Sequence, residues 1–396
     1  MEIALYCPVY GYYEKEKDTV GRAGDFYTNV SVGSLFGELL AFQFAEWLEP
    51  LNSQLSTLNL VEAGAHDGQL AKDILSWLQL QRPELFGQIE YWIIEPSARR
   101  QEWQQETLKL FAPRVRWFTD FENLKLNSDK ARAGTQNSKL SGIIFSNELL
   151  DAMPVHRLGW DANQRTWFEW GVAVEGERFV WAKIQRSEVR SQKSELDLPS
   201  AISHLPSSLL AVLPDGYTIE INPAAEHWWC EAASALNRGR LVAIDYGFTA
   251  PELFSPARTN GTLRSYRAHH HAENVLANPG GQDITAHVNF AAIQAVGEKA
   301  GLKTEALVSQ PQFLTRILEK TLKEKNFGGL VASNPALREK VELVAPASRV
   351  EARRRRKRIS KTDPAFEWTP SRTRQFQTLT HPEHLGRAFR VLVQSK

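Results

Sequence analysis

The stretch TLNLVEAGAHDGQLAKDILSWLQL, residues Thr57–Leu80, decides the fold. Thr57–Ala63 is an apolar run of strand length, and Gln69–Leu80 repeats apolar residues at helical spacing. Between them stand Glu62, Gly64 and Gly68, an acid and two glycines at a strand-to-helix junction. Glycines there permit positive φ and let a ligand approach the backbone closely. The first turn of the helix offers unpaired N–H groups. No G-x-G-x-x-G and no Gly-Lys-Ser/Thr occurs in the loop, so it is neither a dinucleotide fingerprint nor a P-loop.

The same alternation continues on both sides. Ser34–Trp47 reads as a helix, Ile89–Ile94 as a strand, Ser97–Phe111 as a helix, and Val115–Phe118 and Gly142–Ser146 as strands. Asn127–Lys139 is polar and aperiodic, which marks a loop. Strands alternating with helices predict an α/β, Rossmann-like doubly wound sheet. Thr166–Ile184 reads as a hairpin turning at Val174–Glu177, and Tyr217–Ile221 as a short strand. Helix Ala224–Leu236 leads into Arg240–Tyr246, expected to be the fifth core strand and ending in Asp245 and Gly247. Lys303–Ser309 and Phe389–Gln394 look like closing strands, with Gln312–Val344 largely helical. The expected organisation is an N-terminal lobe and lid (1–50), a first half of the core (51–165) and a β-rich insertion (166–216). A second half (217–265), a largely helical insertion (266–388) and a final strand (389–396) follow.

Composition is that of an ordinary globular chain: 396 residues, 42% hydrophobic, 23% charged, formal net charge +1. That balance provides no global field toward nucleic acid or membrane. Cys7 and Cys230 are the only cysteines, too few for a disulfide framework or a cysteine zinc cluster. With no apolar span and no leader pattern in its first residues, the chain is expected in the cytoplasm. The run Arg353–Arg358 (RRRRKR) lacks an aromatic platform and reads as a solvated face rather than an RNA contact. Three consecutive histidines, His269–His271, cannot all point at one ion, and no metal is expected there. Trp228 and Trp229 read as core packing.

A second segment carries acids. In SGIIFSNELLDAMPVHR (Ser141–Arg157), an apolar strand runs into Asn147 and Glu148, with Asp151 three residues on. Ligands of α/β sheets bind at the carboxyl ends of strands. If a helix follows Ser146, Glu148 and Asp151 share one face at i,i+3. Glu95 closes the strand YWIIE, 27 residues after Gly68, where an acid commonly takes ribose hydroxyls. An acidic site without a phosphate cradle favours a nucleoside carrying positive charge, and S-adenosylmethionine fits.

Eight stretches in order resemble the MidA-like family of S-adenosylmethionine-dependent methyltransferases. They are Gly11–Tyr13, Gly24–Thr28, Phe36–Glu38, Val61–Leu75, Asn147–Pro154, Ile244–Gly247, Gly261–Tyr266 and Asp283–Phe290. The resemblance implies a class I methyltransferase core binding S-adenosyl-L-methionine. It assigns Glu62, Gly64 and Gly68 to the cofactor loop, Glu95 to the ribose, and Asn147, Glu148 and Asp151 to the active site. Gly24 and Asp25, with Phe26 and Thr28, are read as a lid over the cofactor; Asp283 and His287 are candidates for the substrate side. Two departures stand out: Gly64-Ala65-His66 replaces a Gly-Pro-Gly-like turn, and Val30-Ser31 replaces a Pro-Glu pair.

The expected reaction is methyl transfer to a protein arginine, whose delocalised guanidinium is a poor nucleophile that carboxylates grip bidentately. Orienting the two partners supplies roughly 7–11 kcal/mol of such a barrier. Alternatives on the same fold are an RNA or small-molecule methyltransferase and a non-catalytic respiratory-complex assembly factor. The expected partner is a protein presenting arginine, with a homodimer compatible and nucleic acid not expected.

Overall fold

Strand Leu58–Ala63 (β1) is buried along its whole length. Both faces of its sheet are covered, which is why four of its six residues are apolar, Asn59 and Glu62 being the exceptions. In this computed structural model, Ile89–Ile94 (β2) and Leu140–Asn147 (β4) flank it in parallel. Val115–Phe118 (β3) extends the sheet beyond β2, and Leu236–Phe248 (β9) beyond β4, again in parallel. Phe389–Ser395 (β15) runs antiparallel between β9 and Lys303–Ser309 (β14). The order is therefore β14-β15-β9-β4-β1-β2-β3, with Val288–Asn289 (β13) paired to the end of β9. The chain steps outward from β1 to β3 and returns beside β1 as β4. That reversal opens a crevice at the carboxyl ends of β1 and β4.

The structure describes residues 1–15, 28–52, 55, 57–124, 140–184, 210–267, 270–272, 274–323, 368–386 and 389–396. Gly24, Asp25 and Phe26 of the expected lid, the Asn127–Lys139 loop, His269, the Arg353–Arg358 run and the helix expected beyond Lys323 lie outside them.

Alternation along the strands splits the core into two layers. Leu58, Leu60, Ile143, Phe145, Val242 and Ile244 face one layer with the helix Leu35–Asn52. Val61, Ala63, Ile144, Leu241 and Ala243 face the other, with the helices Pro223–Ala235 and Phe290–Lys299. The helix expected over Ser97–Phe111 is α-helical only over Ala98–Thr107 and gives way to a 3-10 stretch at Lys109–Arg114. Pro113 there has no N–H to donate and its ring crowds the preceding turn, so an α-helix cannot pass through it.

The expected insertion boundaries need correcting. His156–Asp161 (β5), Thr166–Glu175 (β6), Arg178–Lys183 (β7) and Thr218–Ile221 (β8) form a separate sheet of order β7-β6-β5-β8. It begins before residue 166, and its last strand is the one expected in the core. Leu158, Trp160, Ile219 and Ile221 close their own small core with Leu253 and Phe254, which holds β8 away from the main sheet. The segment expected to be largely helical opens instead with a three-stranded sheet of Arg264–Arg267 (β10), His270–Ala272 (β11) and Asp283–Thr285 (β12). Among the described residues no helix is long and apolar enough to cross a membrane.

Candidate active site

The loop after β1 turns on three left-handed residues: Gly64 (φ 72°), His66 (φ 48°) and Gly68 (φ 84°). His66 thus keeps the backbone that a glycine would adopt, at a cost of about 1–2 kcal/mol for an L-residue. Its ring lies edge-on to Trp103 at 6.3 Å. At Gly64 the positive φ is the main constraint, and a Cβ there would also stand 2.8 Å from Leu149 Cδ1 and displace that side chain. Gly68, at the N-cap of the following helix, packs closely against Gln104 and Leu108. Asp67 Oδ1 accepts the Gln69 N–H at 3.0 Å, at the start of the helix Gln69–Gln81, whose N-cap is Gly68.

Glu62 is buried beneath this loop and accepts the Tyr91 hydroxyl at 2.5 Å. Burial pushes its carboxyl up to about 8. Glu95 follows β2; its Oε1 accepts the Ser97 N–H and its Oε2 the Gln104 amide. Burial raises its ionisation as well. Each carboxylate oxygen has a second lone pair, so both remain available to a hydroxyl.

The helix expected after Ser146 does not form. Glu148 is left-handed (φ 53°), its N–H still donates to the Ile244 carbonyl, and the chain then turns. The cause is Asp245, fully buried near the end of β9. Its Oδ2 accepts the N–H groups of Leu149 and Leu150 at 3.1 and 2.8 Å, and its Oδ1 that of Tyr246 at 2.7 Å. Asp245 is thus a clamp on the turn and not a cavity residue. Burial, opposed by these donors, brings its ionisation to about 6.

The turn delivers Asn147, Glu148 and Asp151 to one cavity of about 1380 Å³, shared with Glu62, Gly64 and Glu95. Asp283 and His287 line it too, with Tyr13 donating to Asp283 Oδ1 at 2.7 Å. Burial pushes Glu148 up to about 8 against hydrogen bonds from Asn29 and Asn147. Burial, then the charges of Asp245 and Asp283, raises Asp151 strongly. His287 stacks on Phe248 at 4.6 Å, and burial lowers it to about 4, so it is neutral at pH 7.

Several lining residues were not marked as site residues by the sequence, although Tyr13, Tyr246 and Tyr266 stand in stretches that carry the family resemblance. Tyr6, Tyr13, Tyr246 and Tyr266 surround the acids, and Asp151 raises the ionisation of all four hydroxyls after burial does. Thr119, Asp120 and Phe121 line the cavity after β3, and Trp228, expected in the core, joins them while Trp229 stays buried. Arg100 is the one Lys or Arg among the described lining residues. It is engaged with the Tyr13 carbonyl, to which its Nε and one terminal nitrogen donate. A cavity rich in carboxylates with its one guanidinium so occupied suits cationic ligands.

A parallel sheet reversing beside β1, a glycine loop, an acid closing β2 and an antiparallel penultimate strand define a class I methyltransferase fold. Residues 39–308 match the family described as "Putative S-adenosyl-L-methionine-dependent methyltransferase", and the chain belongs to that family. A Burkholderia thailandensis protein solved with S-adenosyl-homocysteine bound superposes with a TM-score of 0.70 at 26% identity, covering 100% of this chain and 86% of that one. A native crystal structure from the same organism gives 0.69 at 27%, covering 100% and 85%. Protein arginine methyltransferase NDUFAF7, mitochondrial, of Danio rerio is 27% identical over 73% of this chain and 65% of its own length. The Mus musculus protein of that name is 27% identical over 75% and 65%. The chain therefore spans just under two thirds of the length of these curated relatives.

Proposed function

We propose that the chain is a protein arginine N-methyltransferase using S-adenosyl-L-methionine. The observation that supports this most is the cluster of Glu148, Asp151 and Asp283 among four tyrosines, in the same cavity as the loop of Gly64 and Glu95. Carboxylates and aromatic faces together favour a guanidinium over a neutral acceptor. Glu62, Gly64 and Glu95 would hold the cofactor, with Glu95 toward its ribose hydroxyls and Phe121 beside its base. When bound, the cofactor supplies an electrophilic methyl on a sulfonium.

Glu148 and Asp151 hold the guanidinium N–H groups and leave one nitrogen directed at the methyl. A nitrogen–carbon bond forms, the sulfur–carbon bond breaks, and its electron pair stays on sulfur. The two reactants carry two positive charges and the methylated guanidinium carries one, so one proton must leave. Glu148, whose ionised form the adjacent cationic reactants favour, takes it at a carboxylate oxygen. Cys7 and Cys230 are both free thiols, and a reducing compartment, the cytoplasm, is the location we propose. Labelled methyl transfer into cell lysate tests the proposal: protease-sensitive label supports it, and ribonuclease-sensitive label overturns it in favour of RNA.

A further inference from the structure

Glu148 is the end of a chain of amides that crosses the molecule. Gln310 opens the helix Gln310–Lys323, and its Nε2 donates to Asn29 Oδ1 at 2.8 Å and to the Leu379 carbonyl at 3.0 Å. Asn29 Nδ2 donates to Asn147 Oδ1 at 3.1 Å, and Asn147 Nδ2 donates to Glu148 Oε1 at 3.1 Å. The Asn29 backbone N–H reaches the same Oε1 at 2.8 Å. Gln310 donates only, and Asn29 and Asn147 each accept from the amide before and donate onward, so the polarity of the chain is fixed and ends on a single carboxylate oxygen. Such chains polarise in one direction and strengthen toward the acceptor.

Asn29 and Gln310 are fully buried, and neither lines the cavity. Burying carboxamides is costly unless their hydrogen bonds are made. An apolar side chain would fill either position more cheaply if packing were all that was required. Asn29 stands directly before Val30 and Ser31, where the resembled family carries Pro and Glu.

We propose that Asn29 and Gln310 are positioning residues for Glu148, filling Oε1 with fixed donors so that Oε2 faces the substrate as the free acceptor. No donor to Oε2 is present among the described residues. The inference rests on Glu148 being the acid at the transfer site. Donors to a carboxylate favour its charged form, here against Asp245 on β9, Asp283 on β12 and Asp151 in the same turn, with Tyr246 beside them.

Infrared difference spectra of the full chain across pH, with the Glu148→Gln spectra subtracted, isolate the Glu148 carboxyl band. Gln310→Met and Asn29→Ala are expected to raise its titration midpoint by about one pH unit. In the wild-type chain, side-chain amide NMR resonances of Asn29, Asn147 and Gln310 should shift with that same midpoint, with amplitude falling along the chain. Unmoved midpoints in folded variants, or pH-independent amide resonances in the wild type, overturn the proposal. Full methyl transfer by Glu148→Gln would instead overturn the reading of Glu148; an inactive Glu148→Gln with unmoved midpoints sinks only the positioning.

Discussion

Replacing His66 by glycine and by alanine separates backbone strain from the contacts of the ring. Both variants lose the edge contact with Trp103. Only alanine keeps a Cβ at φ 48°. That Cβ costs about 1–2 kcal/mol in the left-handed region, while glycine gives up about 0.5–1 kcal/mol through its freer unfolded chain. The balance favours glycine by about 0.5–1 kcal/mol, the reverse of the sign at a helical position. For a domain this large the difference amounts to a Tm higher by roughly 1 °C for His66→Gly than for His66→Ala. Differential scanning calorimetry with matched urea titrations reads it. An alanine variant as stable as the glycine variant would refute the claim that the loop imposes its conformation on whichever residue stands there.

Other consequences follow from the same geometry. Asp245→Ala leaves the N–H groups of Leu149, Leu150 and Tyr246 without their acceptor. It should cost about 3–5 kcal/mol by urea denaturation; a cost under about 1 kcal/mol would show that the turn forms without its clamp. Gly64→Ala drives a Cβ toward Leu149 at a strained φ, and calorimetry should show S-adenosylmethionine affinity at least about tenfold weaker, with unchanged affinity counting against the loop as cofactor site. Glu62 ionises near 8 in the fold, above its ordinary 4.5, so its protonated form stabilises the fold. That contribution is full below about 4.5 and lost as pH rises through 8, and Glu62→Gln should gain stability relative to the wild type across this window. Equal pH dependence of the two proteins would contradict it.

The sheet was legible because β1, β2, β3 and β14 are bounded by local features: apolar runs closed by acids, glycines or a turn. Glu62, Glu95, Asn147, Glu148 and Asp151 could be marked by standing at strand ends. What failed was non-local. The turn at Glu148 depends on Asp245, 97 residues away, and its own sequence is equally compatible with a helix. β5 escaped notice because HRLGWD has neither apolar alternation nor a continuous apolar run. The four tyrosines come from the N-terminal segment, β9 and β10, so only the folded chain brings them together. Gly68 carries the positive φ expected of it, and its packing against Gln104 and Leu108 is again non-local.

The most direct test is acid hydrolysis of lysate protein labelled from methyl-tritiated S-adenosylmethionine by the wild-type chain and by Glu148→Gln. Label is expected in methylarginine with the wild type, and a loss of at least about a hundredfold with Glu148→Gln while calorimetry shows cofactor still bound. Label in any other residue, or undiminished methylarginine with the variant, would contradict it.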